Sequence, residues 1–183
     1  MTIEGSGFGV HICFASSVQL SEWRFPNLSA PYWRFYWNES PGWTVHYESQ
    51  SVPLLPEHII LIPPNTAFSC ASIGAPVHHY IEFTLNGFQH TVSPQIMSIP
   101  VKTFGAKHLE EITTAIQRDS LGSEIQLQKH ILHSLSLIIG TLETAKPIPE
   151  PLINVMDFLV QHLNQRFDSA FLSDLAGISH DIF

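Results

Sequence analysis

From Val10 to about Phe104 the chain is a succession of short apolar or alternating runs broken by Pro, Gly, Asn and Ser, and nothing between them repeats at the period of a helix. The predicted strands lie in "VHICFASSVQL", "YWRFYWNES", "GWTVHYES", "HIILIPPNTAFS", "VHHYIEFTL" and "IMSIPVKTF". Strand following strand without an intervening helix points to an antiparallel sandwich or barrel. Pro41-Gly42 suits the two central positions of a type II turn, which predicts a hairpin across "YWRFYWNESPGWTVHYES".

After Gly105 the period changes. Leu109, Ile112 and Ile116 recur at helical spacing, and Leu127, Ile131, Leu135, Ile138 and Leu142 form a stripe about five turns long. That stripe is longer than cover for one sheet face requires, so it is the predicted dimerisation surface. The alternative is two helices packed only on their own sheet. "AKPIPEP", with alternating Pro147, Pro149 and Pro151, reads as a semi-rigid linker. Beyond it Leu152, Val155, Met156, Leu159 and Leu163 give another helical face. Ser169 is placed to cap a short helix over Ala170 to Ala176, Gly177 to close it in the left-handed conformation, and Ser179 to cap a successor. That spacing is helix-turn-helix chemistry.

Composition narrows the function classes. A formal charge of −8 with eight Lys and Arg leaves no basic stripe to neutralise phosphates, so residues 1–183 alone are not expected to hold DNA. No apolar run is long enough to span a bilayer, and "MTIEGSGFGV" lacks the pattern of a signal peptide, so the expected location is cytoplasmic. "GSGFG" has no strand before it and no helix after it, and reads as an N-terminal arm rather than a phosphate loop. Cys13 and Cys70 are too few for a disulfide framework and are expected to be free, buried thiols.

Two stretches carry a resemblance to the AraC-type transcription regulators. "PLLPEHIILIPPNTAFS", Pro53 to Ser69, resembles that family's cupin-like effector domain. "INVMDFLVQHLNQRFDSAFLSDLAGISHDIF", Ile153 to Phe183, is similar to the opening of its DNA-binding domain, with Leu172, Ala176, Gly177, Ile178, Ser179 and Phe183 on apolar, small and capping positions. Ser173 departs from the Ala usual after Leu172. The resemblance implies a mainly β fold with C-terminal α: a cupin-like antiparallel β-barrel (jelly roll) over 1–104, a helical dimerisation segment over 105–144, a proline linker over 145–151, and the start of a helix-turn-helix domain over 152–183. Family members carry two helix-turn-helix units. The resemblance therefore implies a piece of a longer regulator, cut inside the recognition helix where Ser179 and His180 would approach DNA; a short protein ending in a frayed helix is the alternative. It also implies a homodimer, a small-molecule effector, no membrane partner, and DNA as a partner only of the full-length protein.

Alternation on the first predicted hairpin puts Arg34, Tyr36 and Asn38 on one face and Trp33, Phe35 and Trp37 on the other. "VHHYIEF" sets His78, Tyr80 and Glu82 against an apolar set of Val77, His79, Ile81 and Phe83. Aromatic rings interleaved with fixed donors and acceptors suit a small polar molecule such as a sugar. The candidate ligand-binding residues are therefore Arg34, Tyr36, Asn38, His78, Tyr80 and Glu82, with Trp43 and His46 across the turn. The resemblance supports the set, because His78 falls where one family member has a histidine facing its sugar. The competing reading leaves Arg34 and the His78 face in solvent.

No catalytic residue, cofactor or metal site is predicted, and the chain is not expected to be an enzyme. His46-Tyr47-Glu48 and His78-His79 supply metal-ligand types, but adjacent strand residues point to opposite faces and two ligands are too few. A cupin-type enzyme, metal-dependent or not, with an incidental helical tail is the alternative function.

Overall fold

The computed structural model describes residues 9–19, 22–72, 74–86, 90–118, 120–142, 144–147, 151, 154–155, 158 and 167–177. The chain divides into two compact units, Met1–Gly87 with Val92–Glu143, and Phe88–Thr91 with Thr144–Phe183.

The first unit holds β1 (Gly9–Gln19), β2 (Phe25–Leu28), β3 (Trp33–Asn38), β4 (Trp43–Tyr47), β5 (Gln50–Leu54), β6 (His58–Ile62), β7 (Phe68–Ser72), β8 (Val77–Asn86) and β10 (Met97–Pro100). Helices α1 (Val101–Phe104), α2 (Ala106–Arg118) and α3 (Leu121–Ile138) follow, α3 running on into a 3-10 turn at Ile139–Thr141. The strands make two open antiparallel sheets, one ordered β1-β8-β3-β6-β10 and the other β2-β7-β4-β5. They pack face to face as a sandwich rather than closing into a barrel.

The five-stranded sheet is a middle layer. Tyr36, Ile60 and Ile62 face Trp43, Val45, Leu54, Phe68 and Cys70 of the four-stranded sheet. Phe35, Ile59, Leu61, Ile81 and Phe83, one residue out of phase, are fully buried on the helix side, where Phe35 meets Phe104 of α1. Cover on both sides explains why β6 reads as an unbroken apolar run, "IILI", instead of alternating.

The predicted hairpin at Pro41-Gly42 is not formed. β6 and β8 occupy the two edges of β3, so β4 cannot pair with it and crosses to the other sheet, between β5 and β7. Gly42 turns the chain there at φ 147°, outside the type II range. Helix also begins earlier than the sequence suggests, at Val101.

The predicted dimer stripe is core of a single chain. Leu127, Ile131, Leu135 and Ile138 are buried where α3 packs on the five-stranded sheet, and Leu142 is half-buried. Cys70 is buried as expected, but Cys13 is exposed.

Strand β11 (Thr144–Pro147) pairs with β9 (His90–Val92); the sequence places Thr144 at the end of the helical segment and Ala145 to Pro147 in the linker. Helix α4 spans Ser169–Ala176 and is capped by Asp168, not Ser169: the Asp168 carboxylate accepts from the Phe171 N–H at 2.8 Å. Gly177 closes it at φ 63°, the left-handed value that favours glycine. Ala176 is buried, and so is Ser173, whose hydroxyl donates to the Ser169 carbonyl at 2.8 Å, so its departure from Ala costs the helix no orphaned polar group. Phe158, Phe167 and Phe171 form a ring cluster with centroids 5.2 to 5.5 Å apart. The arm at Gly5 to Phe8, the apolar positions Leu152, Met156, Leu159 and Leu163, and the DNA-facing Ser179 and His180 lie outside the described residues.

Ile131→Ala removes a fully buried side chain from the contact between α3 and the sheet. A loss of ~2–5 kcal/mol in urea unfolding is expected. Because the stripe is internal, the loss should not change with protein concentration.

Candidate ligand-binding site between the sheets

The two polar sets predicted from alternation meet in register. Arg34 lies opposite Glu82, Tyr36 opposite Tyr80, and Asn38 opposite His78, all on the face of the middle sheet that looks into the sandwich. Arg34 is therefore buried, not solvent-facing.

One end of this row is closed. His78 lies 4.3 Å from the Trp43 ring centre, 4.9 Å from Tyr36 and 5.5 Å from Trp23, and Trp23 stacks on Trp43 at 4.2 Å. Its Nδ1 is 2.7 Å from Asn38 Oδ1; the amide oxygen can only accept, so Nδ1 carries the proton. Burial, and secondarily the neighbouring His79, lowers the His78 pKa to about 3 and keeps the ring neutral.

The other end is open. Glu82 keeps 23% of its side chain exposed, Tyr80 is half-buried, and Phe14, 51% exposed, stacks on Tyr80 at 5.7 Å. A bulge creates that stack. Ile12 pairs with Phe83 and Phe14 with Glu82, so Cys13 is the extra residue; it shifts the alternation and turns Phe14 to the Glu82 side of the sheet.

Arg34 lies between the two ends. Its Nε is 3.9 Å from Glu82 Oε1, the outer limit of an ion pair, and its guanidinium sits 4.9 Å from the Tyr32 ring centre and 5.2 Å from Phe68. Nη1 is buried without a hydrogen-bond partner, as are Asn38 Nδ2 and Trp43 Nε1. All three are donors without acceptors, which gives this interior an unmet demand for ligand oxygen. Desolvation raises the Tyr36 phenol well above its ordinary pKa, so it stays protonated.

His46 does not join them. It is out of phase with Trp43 and Val45 in the alternation of β4, on the outer face of its sheet, with Nδ1 2.9 Å from Ser51 Oγ. His79 points to the helix side, stacked on Trp37 at 4.9 Å and paired with Ser17 at 2.6 Å and Glu39 at 2.9 Å. His46, His78 and His79 thus occupy three different surfaces. Sequence reasoning missed Phe14, Trp23, Tyr32 and Phe68. Only the bulge hides Phe14, since strict alternation sends it the wrong way.

Two grooves of about 650 and 310 Å³ are present, the larger lined by α2 and α3 residues and the smaller by β10 and the end of α3. Neither lies between the sheets, whose interior is occupied by the side chains above.

No family model matches the chain, and no curated protein matches it in sequence. Its fold is shared with solved structures. ToxT from Vibrio cholerae superposes with a TM-score of 0.58 at 12% identity over 96% of this chain and 73% of that one. ToxT bound to an unsaturated fatty acid gives 0.60 at 8% identity, covering 96% and 70%. ToxT bound to (E)-4-(8-methylnaphthalen-1-yl)but-3-enoic acid gives 0.60 at 12%, covering 96% and 73%. At these identities the likeness is one of fold: antiparallel sheets followed by helices.

The buried neutral His78 makes stability pH-dependent. Below about pH 6.5 the unfolded chain binds a proton that the folded ring refuses until about pH 3, so stability falls as pH drops through that window, by up to ~1.4 kcal/mol per pH unit. His78→Gln should flatten the fall in urea melts between pH 7 and pH 5; equal slopes in both proteins would contradict this account.

Proposed function

We propose that the chain senses a small molecule for an AraC-type transcription regulator, and that the effector presents a carboxylate, or an equally acceptor-rich group, to Arg34. One observation carries the reading: a guanidinium buried inside a sandwich, with a distant partner at 3.9 Å and an unpaired Nη1. Burying a cation is costly unless it is paired, and a bidentate carboxylate is the partner that guanidinium geometry fits best. Phe14, Tyr32, Tyr80 and Phe68 offer ring surface to an apolar body. The two ToxT ligands named above are both carboxylic acids with apolar bodies, which supports the same chemistry in this fold.

A sugar, the effector expected from the sequence, is the comparator. Its hydroxyls need acceptors as well as donors, and the interior near Arg34 supplies chiefly unpaired donors. Effector binding would favour one arrangement of the chain over another by its differential affinity, and this preference would be passed to the DNA-binding part. In this reading α4 and its Gly177 closure are the first helix and turn of a helix-turn-helix.

Thermal shift tests the effector class. An unsaturated fatty acid at about a hundredfold over its Kd should stabilise the protein by ~2.7 kcal/mol, whereas the fatty alcohol of equal length and sugars should not. Arg34→Met should abolish that shift, and the double variant Arg34→Met/Glu82→Gln, which removes both charges of the pair, should leave the unliganded protein about as stable as the native chain. Stabilisation by a sugar alone would overturn the carboxylate assignment and leave sensing intact.

Pairing of two copies belongs to a different face of α3 from the stripe expected. Leu121, Ile125 and Leu132 are exposed and fall within about 40° of one another at 100° per residue, with exposed Ile139 seven residues beyond Leu132, at the start of the 3-10 turn. Light scattering should give a dimer for the native chain and a monomer for Leu132→Glu, with the melting temperature of the folded unit little changed. A monomeric native chain would overturn pairing through this face.

A further inference from the structure

We propose that His108, Glu111 and His130 form a binding site for one divalent transition-metal ion of the zinc type, clipping α2 to α3. His108 and Glu111 stand three residues apart on one face of α2, and His130 approaches them from α3. One ligand atom from each lies within 4.8 Å of the others. A tetrahedral ion with ligands at about 2.0–2.1 Å places donors about 3.3 Å apart. The Glu111 Oε2 to His130 Nε2 distance is already 3.1 Å, so only His108 has to close.

His130 is the second observation. It is fully buried, and neither ring nitrogen makes a hydrogen bond: Nε2 is near Glu111 but outside hydrogen-bond geometry. Nδ1 of His108 is buried and unpaired as well. Orphaned buried nitrogens cost about 1–3 kcal/mol each, and an ion accepting an imidazole lone pair removes that cost. Two neutral imidazoles and a carboxylate form a borderline donor set suited to zinc, with a fourth position left for water.

The surroundings hold His108 in place. At Gly105, with φ 99°, a Cβ would lie 3.1 Å from the His108 ring, so the backbone approaches the ring as closely as only glycine permits. His133 packs on His108 at 4.7 Å and donates its Nε2–H to the Phe104 carbonyl at 3.1 Å, which fixes its own tautomer. The opposing charges are Lys129, 3.2 Å from Glu111 Oε2, and Lys107, 3.8 Å from Oε1. Their side chains are 55% and 83% exposed, and pairs of that kind contribute at most about 1 kcal/mol. Both line the 650 Å³ groove together with Glu111, so they can swing aside into water as an ion enters along it.

The test uses untagged, chelator-treated protein titrated with zinc chloride by calorimetry and with cobalt(II) by visible absorption. One equivalent of zinc, a tetrahedral cobalt spectrum and a raised melting temperature are expected. His108→Gln and Glu111→Gln alter partly exposed residues and should each weaken zinc binding at least ~10-fold with an unchanged circular dichroism spectrum. His11→Gln, at an exposed strand position, should not change it. No stoichiometric binding by the native chain at 100-fold excess zinc, or full binding retained by both site variants, would overturn the proposal; the latter would mean adventitious surface-histidine binding only.

Discussion

The structure depends on the burial of both faces of one sheet. β3, β6 and β8 lie in the middle of a three-layer unit, with the second sheet on one side and α1–α3 on the other, so every residue along them needs cover whichever way it points. The helix-side set Phe35, Ile59, Leu61, Ile81 and Phe83 supplies apolar burial without exception. With that face holding the layers together, the opposite face can carry polar groups that a smaller core would not tolerate. Arg34, Asn38 and His78 are buried there because of their neighbours on the far side of the same strands.

Polar groups in that position have few ways to be satisfied. Asn38 and His78 satisfy each other once and Trp23, Trp43 and Tyr36 enclose the ring, which makes this end a rigid aromatic core. Arg34 and Glu82 are too far apart to do the same, and the site loosens toward Tyr80 and Phe14. Packing thus runs from closed to open along one strand pair: Trp23, Trp43 and Tyr36 enclose one end, and Phe14 and Glu82 reach solvent at the other. The helices repeat the pattern in miniature, with buried His130 facing half-exposed His108 and Glu111 beside a groove.

Much of this was legible residue by residue. Period-2 alternation grouped Arg34 with Tyr36 and Asn38, and His78 with Tyr80 and Glu82, because strand geometry is local. The unbroken "IILI" of β6 was legible as a strand, and Gly177 as a helix stop. Pairing was not legible: Pro41-Gly42 looks locally like a hairpin turn, yet β3 already has two better partners distant in sequence. The α3 stripe reads as a dimer interface and is core of one chain, since a helical period states that a face is covered without saying by what. Phe14 was missed, because one inserted residue reverses the alternation before it. His108 and Glu111 share a face of α2 by their spacing, but His130 could not be joined to them from sequence, because only the packing of α3 on α2 brings it there.

The sequence by itself determined that a strand region precedes a helical one, the grouping of side chains on β3 and β8, and the closure of α4, all of which follow from backbone geometry acting over a few residues. Tertiary structure alone decided that β3 and β4 belong to different sheets, that the α3 stripe is internal, and that Arg34 is buried 3.9 Å from Glu82 with its Nη1 left without a hydrogen-bond partner. These depend on which distant segments compete for the same edge or face. That competition is settled by the total apolar area covered, a property of the assembled layers and of no single stretch of chain.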